Sequence, residues 1–196
     1  MENIPLDSLR IGYALTGSFC TVSKSLQQLR ALCEVCPDVT PVMSESVYTT
    51  DTRFAKASDI VRIAQQLCGK EIIHEIRTAE PIGPKKLFDA MIILPCTGNT
   101  AAKIAAGITD TPVTMAAKAH LRNSRPLIIG IATNDALSGC AACIGKLLNT
   151  RGIYFLPMAQ DDPKAKPRSV IADFDMLLPT LREALNGRQI QPIIKS

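Results

Sequence analysis

Hydroxyl side chains crowd around one glycine near the start of the chain: Thr16-Gly17-Ser18 closes an apolar run, and Thr21 and Ser23 follow as an amphipathic stretch begins. A strand that ends in a small-residue turn and opens a helix presents unpaired backbone N–H groups and the positive end of a helix dipole, which suits phosphate. Gly12 and Gly17 have the separation of the two glycines of a nucleoside-triphosphate loop, but Ser18-Phe19 stand where that loop needs Lys and Ser/Thr. The dinucleotide fingerprint fails too, for want of a third glycine and of the right spacing, which disfavours NAD(P) as this chain's own cofactor. A single terminal phosphate asks only for hydroxyls and N–H donors, which Thr16, Ser18, Thr21, Ser23 and, after the next apolar run, Ser44 can supply. That suits a mononucleotide such as FMN. From the turn alone, capping by Ser18 and local bonding by Thr16 is an equal reading.

The scaffold that must position these groups is legible as periodicity. Apolar runs of strand length recur at Ile11 to Leu15, Val39 to Met43, Glu71 to Ile73, Ala90 to Leu94, Leu127 to Ile131 and Ile153 to Leu156. Helical stripes fill the gaps, with Val22, Leu26, Leu29 and Leu32 in Ser18 to Cys36, and Ile60, Ile63, Ala64 and Leu67 before Gly69. This alternation predicts one α/β domain over residues 1–196, a flavodoxin-like or Rossmann-like doubly wound parallel sheet of about six strands with helices on both faces. Such sheets bind ligands at the carboxyl ends of their strands. The polar segments Thr16-Gly17-Ser18, Ser44-Glu45-Ser46, "PCTGNT" (Pro95 to Thr100), "ATND" (Ala132 to Asp135) and "AQDDPKAKPRS" (Ala159 to Ser169) all follow apolar runs.

Composition narrows the classes. A net charge of +4 with no Lys/Arg run, 4% aromatic residues and no Trp argue against nucleic-acid binding. The amino-terminal "MENIPLDSLR" has acids where a signal peptide needs a basic and then an apolar run, and no apolar segment reaches membrane-spanning length, so a cytoplasmic, non-membrane protein is expected. The 46% hydrophobic content with 20% charged residues favours a subunit that self-associates. The seven cysteines include the pairs Cys33/Cys36 and Cys140/Cys143, but both pairs fall in helical stretches. Core thiols are expected, and no metal site.

Pro95-Cys96-Thr97-Gly98-Asn99-Thr100 resembles the Pro-Ala-Ser-Ala-Asn-Thr loop of the flavoprotein family that includes the flavin-containing cysteine decarboxylases, and "AKIAAGITD" continues the likeness. The first turn and Ser44 match as well, and Ala132-Thr133-Asn134 falls where that family has Pro-x-Met-Asn. The resemblance implies that Pro95, Thr97, Asn99, Thr100 and Asn134 face the flavin ring or substrate, with Thr16, Gly17, Ser18 and Ser44 at its phosphate or ribityl chain. The decarboxylases carry an essential His where this chain has Pro81, which cannot exchange a proton, and neither His74 nor His120 stands in that register.

Within the family, "EPIGPKK", "PCTGNTAAKIAAGITDTPVTMAAKAHLRN", "ATNDAL" and "QDDPKAKP" resemble the flavoprotein B subunits of dipicolinate synthases. That likeness implies an FMN-binding oxidoreductase subunit working with the NAD(P)-binding A subunit of dipicolinate synthase on dihydrodipicolinate, in the mother cell of a sporulating bacterium. It also implies a homo-oligomer, a trimer or a multiple of trimers. A planar dicarboxylate needs cations beside an apolar slot, and Lys118, Lys164, Lys166 and Arg168 are available, though each also reads as part of a solvated basic surface. Asp161 and Asp162 beside them could mark a partner-docking loop. A stand-alone decarboxylase or flavin-modifying enzyme and a non-catalytic scaffold are the rival readings; no catalytic acid or base is identifiable.

Overall fold

The computed structural model of the chain describes residues 5–195. Seven strands form one sheet: β1 (Arg10–Leu15), β2 (Asp38–Met43), β3 (Ala90–Cys96), β4 (Leu127–Thr133), β5 (Ile153–Phe155), β6 (Met158–Ala159) and β7 (Val170–Ala172). The first five run parallel in the order 2-1-3-4-5, the flavodoxin-like arrangement whose direction of winding reverses between β1 and β3. The helices are α1 (Val22–Val35), α2 (Glu45–Thr49), α3 (Ala57–Cys68), α4 (Ile76–Ala79), α5 (Gly98–Ala106), α6 (Pro112–Leu121), α7 (Ala141–Leu148) and α8 (Leu177–Leu185).

Strand alternation divides the core. Ile11, Tyr13 and Leu15 of β1 and Ile92 and Leu94 of β3 pack with α1, α3 and α8, while Ala14, Met91 and Ile93 point the other way into α5, α6 and α7. Every residue of β3 is buried, as expected for a central parallel strand covered on both faces. Gly12 lies in mid-strand, where a β-carbon would sit 2.5 Å from the Phe88 ring, so this glycine makes room for an aromatic and is no part of a phosphate loop.

Two expectations about the sheet are corrected. Glu71 to Ile73 is not a strand but a single bridge, with Ile73 N–H donating to the Pro41 carbonyl at 3.0 Å and accepting at its own carbonyl from Met43 N–H at 2.9 Å. The next rung would need an N–H at position 41, which proline lacks. The sheet also gains β6 and β7, antiparallel to each other; β7 runs antiparallel beside Ala132 and Thr133, just beyond the part of β4 that pairs with β5. Each is only two or three residues long, too short to show alternation in the sequence. Among the described residues no helix is long and apolar enough to cross a membrane.

Candidate functional site

The carboxyl ends of β1, β3 and β4 open onto a cavity of about 810 Å³ at the winding reversal. Its wall is built from Gly17 to Thr21, from Thr97 to Asn99 and from Ala132 to Asp135, closed by Arg53 and Phe54 on one loop and by Asp161, Lys166 and Ser169 to Ile171 on another. The volume suits a cofactor-sized ligand.

Thr16 underlies this wall without lining it. Its buried Oγ1 donates to the Pro95 carbonyl at 2.8 Å and accepts from Thr97 N–H at 3.0 Å, which joins the end of β1 to the end of β3. The next residues turn at once into a helical stretch: Ser18 N–H donates to the Thr16 carbonyl at 2.8 Å, and residues 19–21 form a turn of 3-10 helix that leads into α1. Ser18 Oγ accepts from Thr21 Oγ1 at 3.1 Å and makes no cap bond of its own, so its proton is available to an acceptor in the cavity. Ser44 lies outside the wall at the start of α2; its Oγ is 3.0 Å from Ser46 Oγ, which itself abuts Gly17.

Thr97 caps α5, its Oγ1 accepting from Thr100 N–H at 3.3 Å and donating to Thr100 Oγ1 at 3.0 Å. This fixes the first turn of a nine-residue helix against the cavity, with Asn99 exposed there and Thr100 buried behind. Pro95 is likewise buried behind the wall. Across from α5, Thr133 Oγ1 donates to Asp135 Oδ1 at 2.5 Å and Asn134 is exposed to the cavity. A β-carbon on Gly98 would fall 2.6 Å from that same Oδ1, so only glycine lets the two turns meet.

The loop between β6 and β7 is pinned by bonds of its own. Lys166 Nζ donates to Asp161 Oδ2 at 2.9 Å, Ser169 Oγ to the Thr133 carbonyl at 3.4 Å, and the Arg168 carbonyl accepts from Leu137 N–H at 3.0 Å. The Ser169 hydroxyl and the Lys166 ammonium hold the Asp161 carboxyl below its ordinary range, and Asp161 in turn raises Lys166. Of the basic residues singled out in the sequence, Lys166 reaches the cavity wall and Arg168 does not. Lys118 lines a separate hollow of about 340 Å³ with Ile104, Ile108, Leu121 and Arg122.

Both histidines lie away from the cavity. His74 stacks on Tyr48, ring centroids 3.8 Å apart, and buried His120 bonds the Pro126 carbonyl at 2.9 Å, burial pulling its pKa down to about 4. Cys36, Cys68, Cys96 and Cys140 are buried, burial raising Cys96 and pushing Cys140 up to about 11, whereas Cys20 departs from the expected core placement and is exposed on the cavity wall. Among the described residues no group of three or more His, Cys, Asp or Glu side chains could hold a metal ion. Sequence reasoning did not single out Arg53, Phe54 or Asp135 as site residues. A signal for the first two was present, an Arg-Phe pair inside the hydroxyl-rich segment "TTDTRFAK" that follows the second apolar run.

A sheet wound both ways from the β1/β3 reversal, with a cofactor-sized cavity there and hydroxyls and helix starts around its mouth, defines a flavodoxin-like α/β protein with its cavity at the switch point. The chain belongs to the family described as Flavoprotein, whose profile matches residues 2–165. It is similar to the B subunit of dipicolinate synthase from Bacillus subtilis (strain 168), 44% identical over 189 residues that cover 96% of this chain and 94% of that one. Among solved structures it resembles the dipicolinate synthase B subunit from Bacillus halodurans C, with a TM-score of 0.90, 41% identity and coverage of 98% of this chain and 99% of that chain. The FMN-dependent cysteine decarboxylase SpaF shares the fold, with a TM-score of 0.66 and 19% identity over 92% of this chain and 97% of its own.

Proposed function

We propose that this chain is the FMN-binding subunit of a dipicolinate synthase, acting with an NAD(P)-binding A subunit to convert dihydrodipicolinate to dipicolinate in the cytoplasm of the mother cell of a sporulating bacterium. One observation carries the reading: the turns after β1, β3 and β4 converge on one cavity at the winding reversal, in a chain 44% identical to a dipicolinate synthase B subunit. The residues fit the cofactor. Ser18 has a proton to give beside the start of a helix, Gly98 permits close approach of two turns, and Phe19, Ala132, Val170 and Ile171 offer apolar surface to a flat ring.

In this reading the Gly17-Ser18 turn holds the phosphate, with Thr16 tying that turn to β3 and Ser44 supporting it from behind. Thr97, Asn99 and Asn134 orient the ring or substrate, while Pro95 and Thr100 fix the backbone that carries them. When bound, the flavin supplies a two-electron carrier; the protein binds it, orients it and tunes its surroundings. A proline at position 81 and histidines engaged elsewhere support an oxidoreductase partner over an autonomous decarboxylase. Exposed Ile108 and Leu148 support assembly with further copies, as a trimer or a multiple of trimers.

The test is direct. The purified chain should show a visible flavin absorbance band, or acquire one on titration with FMN, and the loaded chain should speed dipicolinate formation by the A subunit. A chain that takes up no FMN would falsify the cofactor assignment, and an A subunit that works at the same rate without this chain would leave a scaffold.

A further inference from the structure

The segment between α2 and α3, residues 50–56, has no part in the proposed hold on FMN, yet it forms one side of the cavity. It is tied to itself: Thr52 N–H donates to the Ala55 carbonyl at 3.0 Å, Thr52 Oγ1 accepts from Phe54 N–H at 3.2 Å, and Asp51 Oδ1 accepts from Ala57 N–H at 2.9 Å at the start of α3. This short, braced segment presents Arg53 and Phe54 to the cavity, with the guanidinium carbon 4.8 Å from the centroid of the Phe54 ring. Phe54 is 52% exposed on the cavity wall, so its ring can serve as an accessible platform there.

The two cations of the cavity wall differ in availability. Lys166 is held by Asp161 at 2.9 Å, whereas no carboxylate among the described residues pairs with Arg53. Stacking on an aromatic face uses the flat side of a guanidinium and leaves its in-plane N–H fork directed outward, the geometry that grips a carboxylate with two parallel bonds. The stack also restricts a long side chain before the ligand arrives, which lowers the entropic cost of binding.

We propose that Arg53 is a substrate-anchoring residue that grips one carboxylate of a planar ring acid, and that Phe54 is the positioning residue that holds its guanidinium in place. The inference rests on the dipicolinate synthase reading and assigns within it a carboxylate contact outside the basic loop of residues 164–168.

The experiment titrates the FMN-loaded chain with dipicolinate, by calorimetry or by perturbation of the flavin spectrum, for the parent and for Arg53→Ala, Arg53→Lys, Phe54→Ala and Phe54→Tyr. FMN affinity and oligomeric state are measured alongside. Arg53→Ala should weaken dipicolinate binding about 10- to 100-fold with FMN affinity unchanged. Arg53→Lys should recover little of this, since an ammonium cannot form the paired contact. Phe54→Ala should weaken dipicolinate binding several-fold with FMN affinity and oligomeric state unchanged, which a general packing defect would not leave intact, and Phe54→Tyr, which keeps the ring face, should bind as the parent does. Unchanged dipicolinate affinity in Arg53→Ala overturns the inference and leaves the flavin reading standing. Loss of FMN in its place makes Arg53 a cofactor contact, and altered assembly with intact dipicolinate binding makes the pair a contact between copies; either overturns the proposal. A parent that binds no FMN overturns the functional reading, and this inference with it.

Discussion

Thr16 Oγ1 donates to the carbonyl of Pro95, 2.8 Å away and 79 positions later in the chain, and the same oxygen accepts from the neighbouring Thr97 N–H. One buried hydroxyl thus sets the distance between the turns that follow β1 and β3. Thr16→Val keeps the shape and removes both bonds, leaving a carbonyl and an N–H without partners at a cost of about 1–3 kcal/mol. A lower urea midpoint and weaker FMN binding are expected together, with Thr16→Ser restoring both. If the valine variant unfolds at the parent's midpoint, this bond is dispensable.

Gly98 makes a second such junction testable. Its missing β-carbon would lie 2.6 Å from Asp135 Oδ1 and 2.7 Å from Thr133 Oγ1, so Gly98→Ala must push the turn after β4 away from α5. About 1–3 kcal/mol of stability should be lost, with reduced FMN affinity. Adding Asp135→Ala removes one clash and frees the Thr133 hydroxyl to rotate, so the double variant should be more stable than the sum of the two single effects predicts. Strict additivity in denaturant unfolding would show that the turns do not press on each other.

Ser18 tests the phosphate assignment. Ser18→Asp sets a negative charge against the ligand's phosphate, while Asp is a favoured residue at the N-cap position that Ser18 holds without a cap bond. Circular dichroism should be unchanged and FMN affinity should fall at least about tenfold, since an opposing charge beside a phosphate costs more than about 1.4 kcal/mol. Parental affinity in the Asp variant would move the phosphate elsewhere.

The contrast between these residues and Arg53 shows what a sequence carries. Turns after β1, β3 and β4 were legible because long apolar runs announce central strands, and a doubly wound sheet gathers the segments that leave their carboxyl ends. Thr16 read equally as a local bond or a ligand contact, because its partner is 79 positions away and hydrogen-bond partners at that range leave no periodic trace. The hairpin strands β6 and β7 are too short for a pattern, so the loop of residues 160–169 was legible as polar but not as a wall pinned to β4 by Ser169. Lys118 shares its residue type with Lys166, yet α6 carries it to a different hollow. Charge type is written in the chain, and its destination is set by tertiary packing.

His120 gives the fold a pH dependence that can be isolated. Burial between α6 and the Pro126 carbonyl lowers its pKa to about 4 from an ordinary 6.5, so the folded chain keeps the ring neutral where the unfolded chain would protonate it. The stability this neutral ring retains is fully present above pH 6.5 and is lost as pH falls toward 4, because the unfolded state binds the extra proton throughout that window. A shift of this size corresponds to about 3 kcal/mol lost across the window. His120→Gln keeps a donor for the Pro126 carbonyl and cannot titrate. Its urea-unfolding free energy should therefore fall less than the parent's between about pH 7 and about pH 4.5, even if the variant is the less stable of the two at neutral pH. Parallel losses in the two proteins over that interval would assign the acid sensitivity to other groups; Asp89, whose carboxyl the Arg10 guanidinium holds below its ordinary value, gives up its contribution only at lower pH.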